Sequence, residues 1–451
     1  MNLHALLMKR AREKGPLRVG LIGAGKFGSM YLAQAGSTQG VHLAAIADLA
    51  PARAVEALSR TGWGDGQGAA ASLPEALAKG TTFITDDATA MIASPGLDVI
   101  IDATGSPSAG IAHVLACCRE GKHIIMVNVE ADALAGPLIA ARAREAGVVY
   151  SLAWGDQPAL IAEHVDWART CGFKVVAAGK GTRYHPSYHQ LTPDTVWEVL
   201  QQYLPIKDPS HINLKMFNSF LDGTKSGIEM TAVCNACDLV PQSGGLSFPP
   251  ASRFELAEIL RPRSEGGTLE RKGVTEVVSS LRRDGSDVPN HLAMGTFVVI
   301  ESDAPYAGQC FREYNTLPDS SGRYAALYRP THMIGLELGV SVASAVLRRE
   351  PTGSPVAFNS DCVATAKRDL AAGERLDGEG GFTVWGKQVP AAASLADGLL
   401  PLGLAHNVAL KRPVAAGRPL HWDDVTIDPA DPAVVVRREM ERVFAPPPVR
   451  H

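Results

Sequence analysis

The chain has 451 residues, 46% hydrophobic and 20% charged, and a formal net charge of −4. That length predicts two or three domains, and the composition is that of an ordinary folded protein. The small negative charge excludes a general electrostatic attraction to nucleic acid or anionic membrane, and no apolar run reaches the roughly 18 residues of a membrane span.

In residues 1–16 the charges follow a short apolar part. That order is the reverse of a secretory signal, so an amphipathic helix is expected. Seven scattered cysteines, an odd number, predict a reduced, cytoplasmic chain. Residues 17–153 then alternate strand and helix. Strands are expected at 17–23, 41–47, 98–103, 122–129 and 148–152, with helices near 26–36, 52–60, 107–120 and 133–146. The strand cores are continuous apolar runs, as in a parallel sheet covered on both faces. This α/β rhythm predicts an N-terminal Rossmann sheet, doubly wound. Residues 62–82 read as an insertion with a short helix near 74–79.

The first strand runs into Gly23-Ala24-Gly25-Lys26-Phe27-Gly28. A GxGxxG turn between strand and helix holds the pyrophosphate of a dinucleotide. The first glycine makes the bend, the second lets backbone approach phosphate, and the third seats the helix on the strand. Asp48 follows Gly28 by twenty residues, at the end of the second apolar run. A carboxylate there accepts from the adenosine ribose hydroxyls and repels the extra phosphate of NADP. Two like charges about 4 Å apart cost up to roughly 4 kcal/mol at a surface-like dielectric. NAD is therefore slightly favoured over NADP, with Arg53 near enough in sequence to offset the preference. The next strand ends are Asp102-Ala103-Thr104-Gly105-Ser106 and Asn128-Val129-Glu130-Ala131-Asp132. Strand ends of such sheets line the ligand crevice, so Thr104, Gly105, Asn128 and Glu130 are cofactor candidates. Ser106 and Asp132 read as helix caps.

After residue 155 the rhythm changes to α+β: a helix at 157–171, a strand at 174–178, then mixed elements to about 330. Lys180 stands between Gly179 and Gly181, which predicts open access of its ammonium to a ligand. Asp222-Gly223-Thr224-Lys225 reads as a turn before a helix carrying Glu229 and Asn235. Arg329 and His332 precede a helix expected at 333–348, whose N-terminus favours an anionic group. Together these residues suit anion binding and proton relay to a carbonyl. Cys234 and Cys237 read as buried helix thiols and Cys117 and Cys118 as packing. His185 and His189 are four apart, but Pro186 argues against a helical metal pair. A substrate-bridged divalent ion on a carboxylate such as Glu229 stays open. Residues 351–355 read as a linker, 358–427 as a Gly/Pro-rich β unit, and 445–451 as a disordered tail.

The glycine turn at 23–28, DVIIDATG at 98–105, NVEAD at 128–132 and YSLAWGDQPA at 150–159 resemble one bacterial family. So do AGKG at 178–181, DGTKSGIEM at 222–230, YRPTH at 328–332, and AKRDLAAGERL with the segments after residue 400. The family is that of homoserine-dehydrogenase-like NAD(P)-dependent oxidoreductases with a C-terminal SAF domain, similar to the 1-deoxy-D-xylulose-5-phosphate reductoisomerase-like enzymes. The resemblance implies four segments: a Rossmann domain at 1–155, a central catalytic and dimerisation domain at 156–350, a SAF-type β-clip at 356–430, and a tail at 431–451.

It further implies hydride transfer with NAD or NADP on a small hydroxylated, anionic substrate, sometimes with Mg²⁺, in a homodimer or larger homo-oligomer. On the matching runs, Lys180, Lys225, Glu229 and His332 are the catalytic candidates and Asp156 and Arg329 substrate-binding ones; Asn235, on the helix that carries Glu229, is the third substrate-binding candidate. Gly23, Gly25, Lys26, Phe27, Gly28, Asp48, Thr104, Gly105, Asn128 and Glu130 fall to the cofactor. Asp48 departs from the hydroxyl or basic residue expected of NADPH-using members. Dehydrogenation of a polyol, sugar acid or homoserine, and a non-enzymatic cofactor- and sugar-binding sensor, therefore stand beside the reductoisomerase-like reaction.

Overall fold

In the computed structural model, which describes residues 2–202 and 213–445, the apolar runs of the N-terminal third lie side by side as one parallel sheet. Its strands are β1 (Leu17–Ile22), β2 (Val41–Ala47), β3 (Phe83–Thr85), β4 (Val99–Asp102), β5 (His123–Met126) and β6 (Tyr150–Leu152), in spatial order 3-2-1-4-5-6. That is the doubly wound Rossmann order, with its switch point between β1 and β4. Leu17, Val19, Leu21, Val99 and Ile101 are fully buried, as a sheet clad on both faces requires. Strand β3 and the helix Ala88–Ala93 lie beyond the expected elements; three and six residues are too few for a periodic signal.

The chain divides into two compact units, Met1–Ala162 with His332–Val356, and Glu163–Thr331 with Ala357–His451. The N-terminal helix Leu3–Lys14 packs in the first unit against the helix Gly339–Leu347. The segment after residue 332 lies within the central domain's expected bounds, but its helix, whose apolar sequence also suits packing back on the first domain, does so and belongs with the Rossmann sheet. Its helix starts at Gly339 and not at 333. Gly335 is the cause: its φ of +82° breaks helical backbone, and a Cβ there would sit 2.6 Å from Met30 Cβ.

The second unit is built on a mixed sheet of β7 (Lys174–Thr182), β8 (Val274–Ser279), β9 (Thr296–Glu301) and β10 (Tyr324–Arg329), ordered 10-9-7-8. Only β7 and β8 run parallel. Phe297, Val299, Val278 and Tyr324 join Leu256 and Leu260 in one apolar cluster. After residue 357 come the antiparallel pair Ser360–Ala366 and Val384–Pro390 and a small three-stranded sheet. Residues 431–443, expected as tail, instead hold a capped helix, Pro432–Val443, seated by the fully buried Arg437. The disorder expected of the tail falls, beyond Ala445, outside the described residues. No helix among the described residues is long and apolar enough to cross a membrane.

Candidate functional site

In the first unit the three glycines of the β1 turn differ in their surroundings. Gly23 has φ +94°, and a Cβ on it would lie 2.8 Å from Ala103 O. A Cβ on Gly28 would lie 2.0 Å from Gly23 O, so the helix Lys26–Ala35 rests directly on the turn. Gly25 has an ordinary φ of −69° and no atom within 4 Å of where its Cβ would be. No neighbouring atom requires glycine there, and the space beside it is open. No side chain caps that helix, whose first N–H groups and positive dipole end therefore suit a pyrophosphate. Lys26 is exposed at its first position and Phe27 half-buried.

Asp48 does more than its sequence position foretells. Its Oδ2 accepts from Ala24 N (2.8 Å), inside the glycine turn, and its Oδ1 from Ala50 N (2.9 Å). The exposed Arg53 stands with Nε 3.6 Å from Oδ1. The carboxylate thus fixes the turn from the end of β2.

At the ends of β4 and β5 the organising group is one that sequence reasoning passed over, Asp102. Fully buried, it accepts from Thr104 N (2.9 Å) and Thr104 Oγ1 (2.8 Å), and its Oδ2 meets His113 Nδ1 at 2.7 Å. Asn128, expected on the cofactor, spends its amide here. It donates to Thr104 Oγ1 (3.0 Å) and Ser106 O (2.8 Å) and caps the helix Val129–Glu145 through Ala131 N (3.1 Å). With 1% exposure it is built into the protein beside these strand ends. Asp132, expected as a cap, is fully buried and accepts from Tyr150 OH (2.6 Å). Burial pushes its carboxyl up to about 7. Ser106 does cap its helix. Thr104 and Gly105, whose φ is +67°, lie on the turn itself, and Glu130 is half-buried in the next helix's first turn.

In the second unit, strand pairing assembles a polar row. Lys180 on β7 is opposite Thr296 on β9, which is opposite Arg329 on β10. Directly opposed residues share a sheet face, so all three project to one side. On that side Lys180 Nζ pairs with Glu229 of the helix Thr224–Cys237, both groups buried. His164, of the helix Gln157–Thr170, meets Thr296 Oγ1 through Nε2 at 3.2 Å. Burial first, and then the Arg329 charge, lowers the His164 pKa to about 4, so its imidazole is neutral near pH 7. Lys225 is buried one helical turn before Glu229. Sequence reasoning missed His164 and Thr296, because neither lies in a distinctive run.

The glycines flanking Lys180 do not open its ammonium to a ligand as expected. A Cβ on Gly179 would lie 1.8 Å from Glu276 O, and one on Gly181 1.6 Å from Leu292 O. They let neighbouring backbone close in, and Lys180 is only 6% exposed. Nor is Arg329 at a helix N-terminus: it ends β10, ten residues before the helix at Gly339.

Other candidates lie apart from this row. Asn235 is fully buried and holds the strand Ser360–Ala366, accepting from Asn359 N (2.9 Å) and Ser360 N (3.0 Å) and donating to Ser360 O (3.1 Å). Its amide is therefore structural rather than substrate-binding. Asp156 and His332 fall in the first unit, Asp156 accepting from Gln157 N (2.8 Å) at the start of a helix. His185 lies against Ser187 Oγ, and His189 against Tyr184 OH and Asp222 O. Among the described residues no three His, Cys, Asp or Glu side chains are grouped to hold a metal ion. Burial raises Cys234 and Cys237 to about 12, as packed thiols should be.

Three family models match the chain. They are the NAD-binding domain of homoserine dehydrogenase over residues 19–152, the catalytic domain of oxidoreductase DRL over 155–338, and the SAF domain over 363–426. One curated relative is the S-adenosylmethionine:tRNA ribosyltransferase-isomerase of Pelodictyon phaeoclathratiforme. It is 26% identical over 162 residues, 32% of this chain and 47% of that protein. The chain thus matches about half the length of that relative.

Among solved structures, a probable dehydrogenase from Thermotoga maritima is 13% identical. The match covers 74% of this chain and 90% of that one at a TM-score of 0.37. An oxidoreductase from Agrobacterium radiobacter, solved with NAD⁺, L-tartaric acid and magnesium, is 18% identical over 37% of this chain and 44% of its own, with a TM-score of 0.27. The myo-inositol dehydrogenase from Lactobacillus casei is 16% identical over 42% and 53%, with a TM-score of 0.28.

Proposed function

We propose that this chain, an NAD(P)-dependent oxidoreductase, transfers a hydride to or from a small hydroxylated, anionic substrate of sugar-phosphate or sugar-acid type, with Lys180 moving the proton. The observation that carries this reading is the row Lys180, Thr296 and Arg329 on one sheet face, with Glu229 paired to Lys180 and neutral His164 against Thr296. The bound nicotinamide supplies or takes the hydride. In reduction Lys180 Nζ donates a proton to the carbonyl oxygen; in oxidation it takes one from the hydroxyl. The Glu229 carboxylate holds the ammonium in place. Arg329 supplies positive charge for an anionic group, and Thr296 and His164 supply neutral hydrogen-bonding partners. Lys225, one turn from Glu229, adds a second cation. The open space at Gly25 and the uncapped helix behind it hold the pyrophosphate, and Asp48 favours NAD(H) narrowly because Arg53 stands beside it.

Within this class the rearrangement and reduction of 1-deoxy-D-xylulose 5-phosphate is the first named candidate, followed by oxidation of polyols, sugar acids or homoserine. A divalent ion needed for the first would arrive with the substrate and lean on a carboxylate such as Glu229. The working form is a homodimer or larger homo-oligomer. The test is nicotinamide absorbance with that ketose phosphate and Mg²⁺, with NADH and NADPH in parallel, then with the other substrates. With any active pair, Lys180→Ala lowers turnover by about 10²- to 10⁴-fold while NADH still binds. Unchanged turnover in that variant removes Lys180 from the chemistry. Cofactor binding without turnover on any substrate favours a sensor.

A further inference from the structure

The helix Thr224–Cys237 carries Lys225 and Glu229 on one stripe and meets the C-terminal β module along another. Thr224 Oγ1 accepts from Gly386 N at 2.9 Å. A Cβ on Gly227 would lie 2.6 Å from Gly386 O. Thr231 Oγ1 meets Ser360 Oγ at 3.1 Å, and Asn235 clasps the backbone of residues 359–360. Positions 224, 227, 231 and 235 recur at three- and four-residue intervals, one continuous helix face. The module therefore forms the backing of the helix that bears the acid–base groups.

One residue of the module reaches further. Lys367, just past the strand Ser360–Ala366, is 6% exposed. Its Nζ donates to Leu191 O (2.6 Å) and Gly381 O (2.7 Å) and lies 2.8 Å from Asp222 Oδ2. Asp222 is fully buried, and no hydrogen-bond donor among the described residues otherwise meets that oxygen. Its other oxygen accepts from Thr224 N at 2.9 Å, the first residue of the helix. His189, stacked on Trp385 of the module at 3.8 Å between ring centres, meets Asp222 O at 2.6 Å. The two-residue turn at Asp222 and Gly223 is thus clamped from the module side through carboxylate and carbonyl alike.

We propose that Lys367 is a positioning residue for the acid–base helix: by holding the Asp222 carboxylate it fixes the first turn of Thr224–Cys237 and with it Lys225 and Glu229, the partner of Lys180. The module at 363–426 is then a working part of the catalytic unit rather than a separate ligand-binding appendage. This rests on the reading of Lys180, Lys225 and Glu229 as the acid–base set, and the test keeps the two claims apart.

The full-length chain and its Lys367→Met and Lys367→Arg variants are labelled with trace acetic anhydride across a pH series, and each lysine's rate is read by peptide mass spectrometry. NADH binding and circular dichroism confirm folding. The native chain should label Lys180 and Lys225 slowly, since both are buried. Lys367→Met should raise their rates about tenfold or more and change their pH profiles, with exposed Lys174 unmoved, because the unpaired buried Asp222 opens the turn. Lys367→Arg, which keeps the charge, should recover part of the native profile. Should Lys367→Met not fold, Asp222→Asn is read in the same way. That variant keeps the oxygen that Thr224 N donates to and removes the charge that Lys367 holds. Native rates and profiles for Lys180 and Lys225 in the folded variant overturn the proposal. Undiminished turnover in Lys180→Ala would instead overturn the acid–base reading and leave the labelling result standing.

Discussion

Asp48 holds the glycine turn with the same carboxylate that the proposed function gives to the ribose, and this sets what its substitution does. Asp48→Asn offers a single oxygen where Ala24 N and Ala50 N each now have one. NADH and NADPH should both bind more weakly, NADH more so, and the affinity ratio should move towards NADPH by about tenfold as the repulsion of a 2′-phosphate is lost. Arg53→Ala should move the ratio the other way. Fluorescence titration of both cofactors against each variant reads this directly, and an unchanged ratio in both variants removes these residues from cofactor choice. His164 carries a prediction about pH. Its folded pKa is about 4 against about 6.5 in the unfolded chain, so the unfolded state binds more protons between those values. Its share of stability is complete above pH 6.5 and is lost as pH falls towards 4, at most about 3 kcal/mol. His164→Gln should therefore flatten the acid side of the melting profile, and the gap between native and variant chains should shrink from pH 7.5 to pH 5. A gap that stays constant would mean that His164 titrates normally.

At the scale of elements, the β1 turn separates what the fold needs from what a ligand needs. Gly28→Ala puts a Cβ against Gly23 O and forces the helix Lys26–Ala35 away, at a cost of about 1–3 kcal/mol, so melting temperature and NADH affinity should both fall. Gly25→Ala meets nothing in the chain, so it should leave the melting temperature within about 1–2 °C while weakening NADH at least about tenfold. Unchanged NADH affinity in Gly25→Ala would show that the pyrophosphate does not approach there. This turn was legible in the sequence because strand, glycines and helix are consecutive. The row in the second unit was not. Lys180, Thr296 and Arg329 come together through strand register across about 150 residues, and His164 joins from another helix. No local periodicity reports such pairing. The same lack of local signal hid why Gly179 and Gly181 are glycine: the atoms they make room for, Glu276 O and Leu292 O, are about a hundred residues away.

At the scale of the whole chain, alternation of apolar runs was enough to give a doubly wound Rossmann sheet, though not its short β3, because parallel strands buried on both faces write their pattern continuously. The C-terminal end of the chain was misread for the opposite reason, whereas the helix expected at the N-terminus is present at Leu3–Lys14. The helix Pro432–Val443 is seated by a charged residue, and a charge in sequence reads as surface. Arg437 has no exposed surface and forms a two-pronged pair with Asp361, Nη1 to Oδ1 at 3.0 Å and Nη2 to Oδ2 at 2.6 Å. Ser394 Oγ and Cys362 N complete the carboxylate's partners, at 2.6 Å and 3.0 Å. Arg437→Met would leave Asp361 buried without its counter-charge, at a cost of about 3–5 kcal/mol, and should lower the melting temperature by on the order of 10 °C. Replacing both partners with apolar residues, Arg437→Met with Asp361→Val, should recover most of that loss, since the strength of the effect lies in stranding one charge rather than in the pair itself. A double variant as unstable as the single one would show instead that the pair's geometry, and not its charge balance, binds the last helix to the β module.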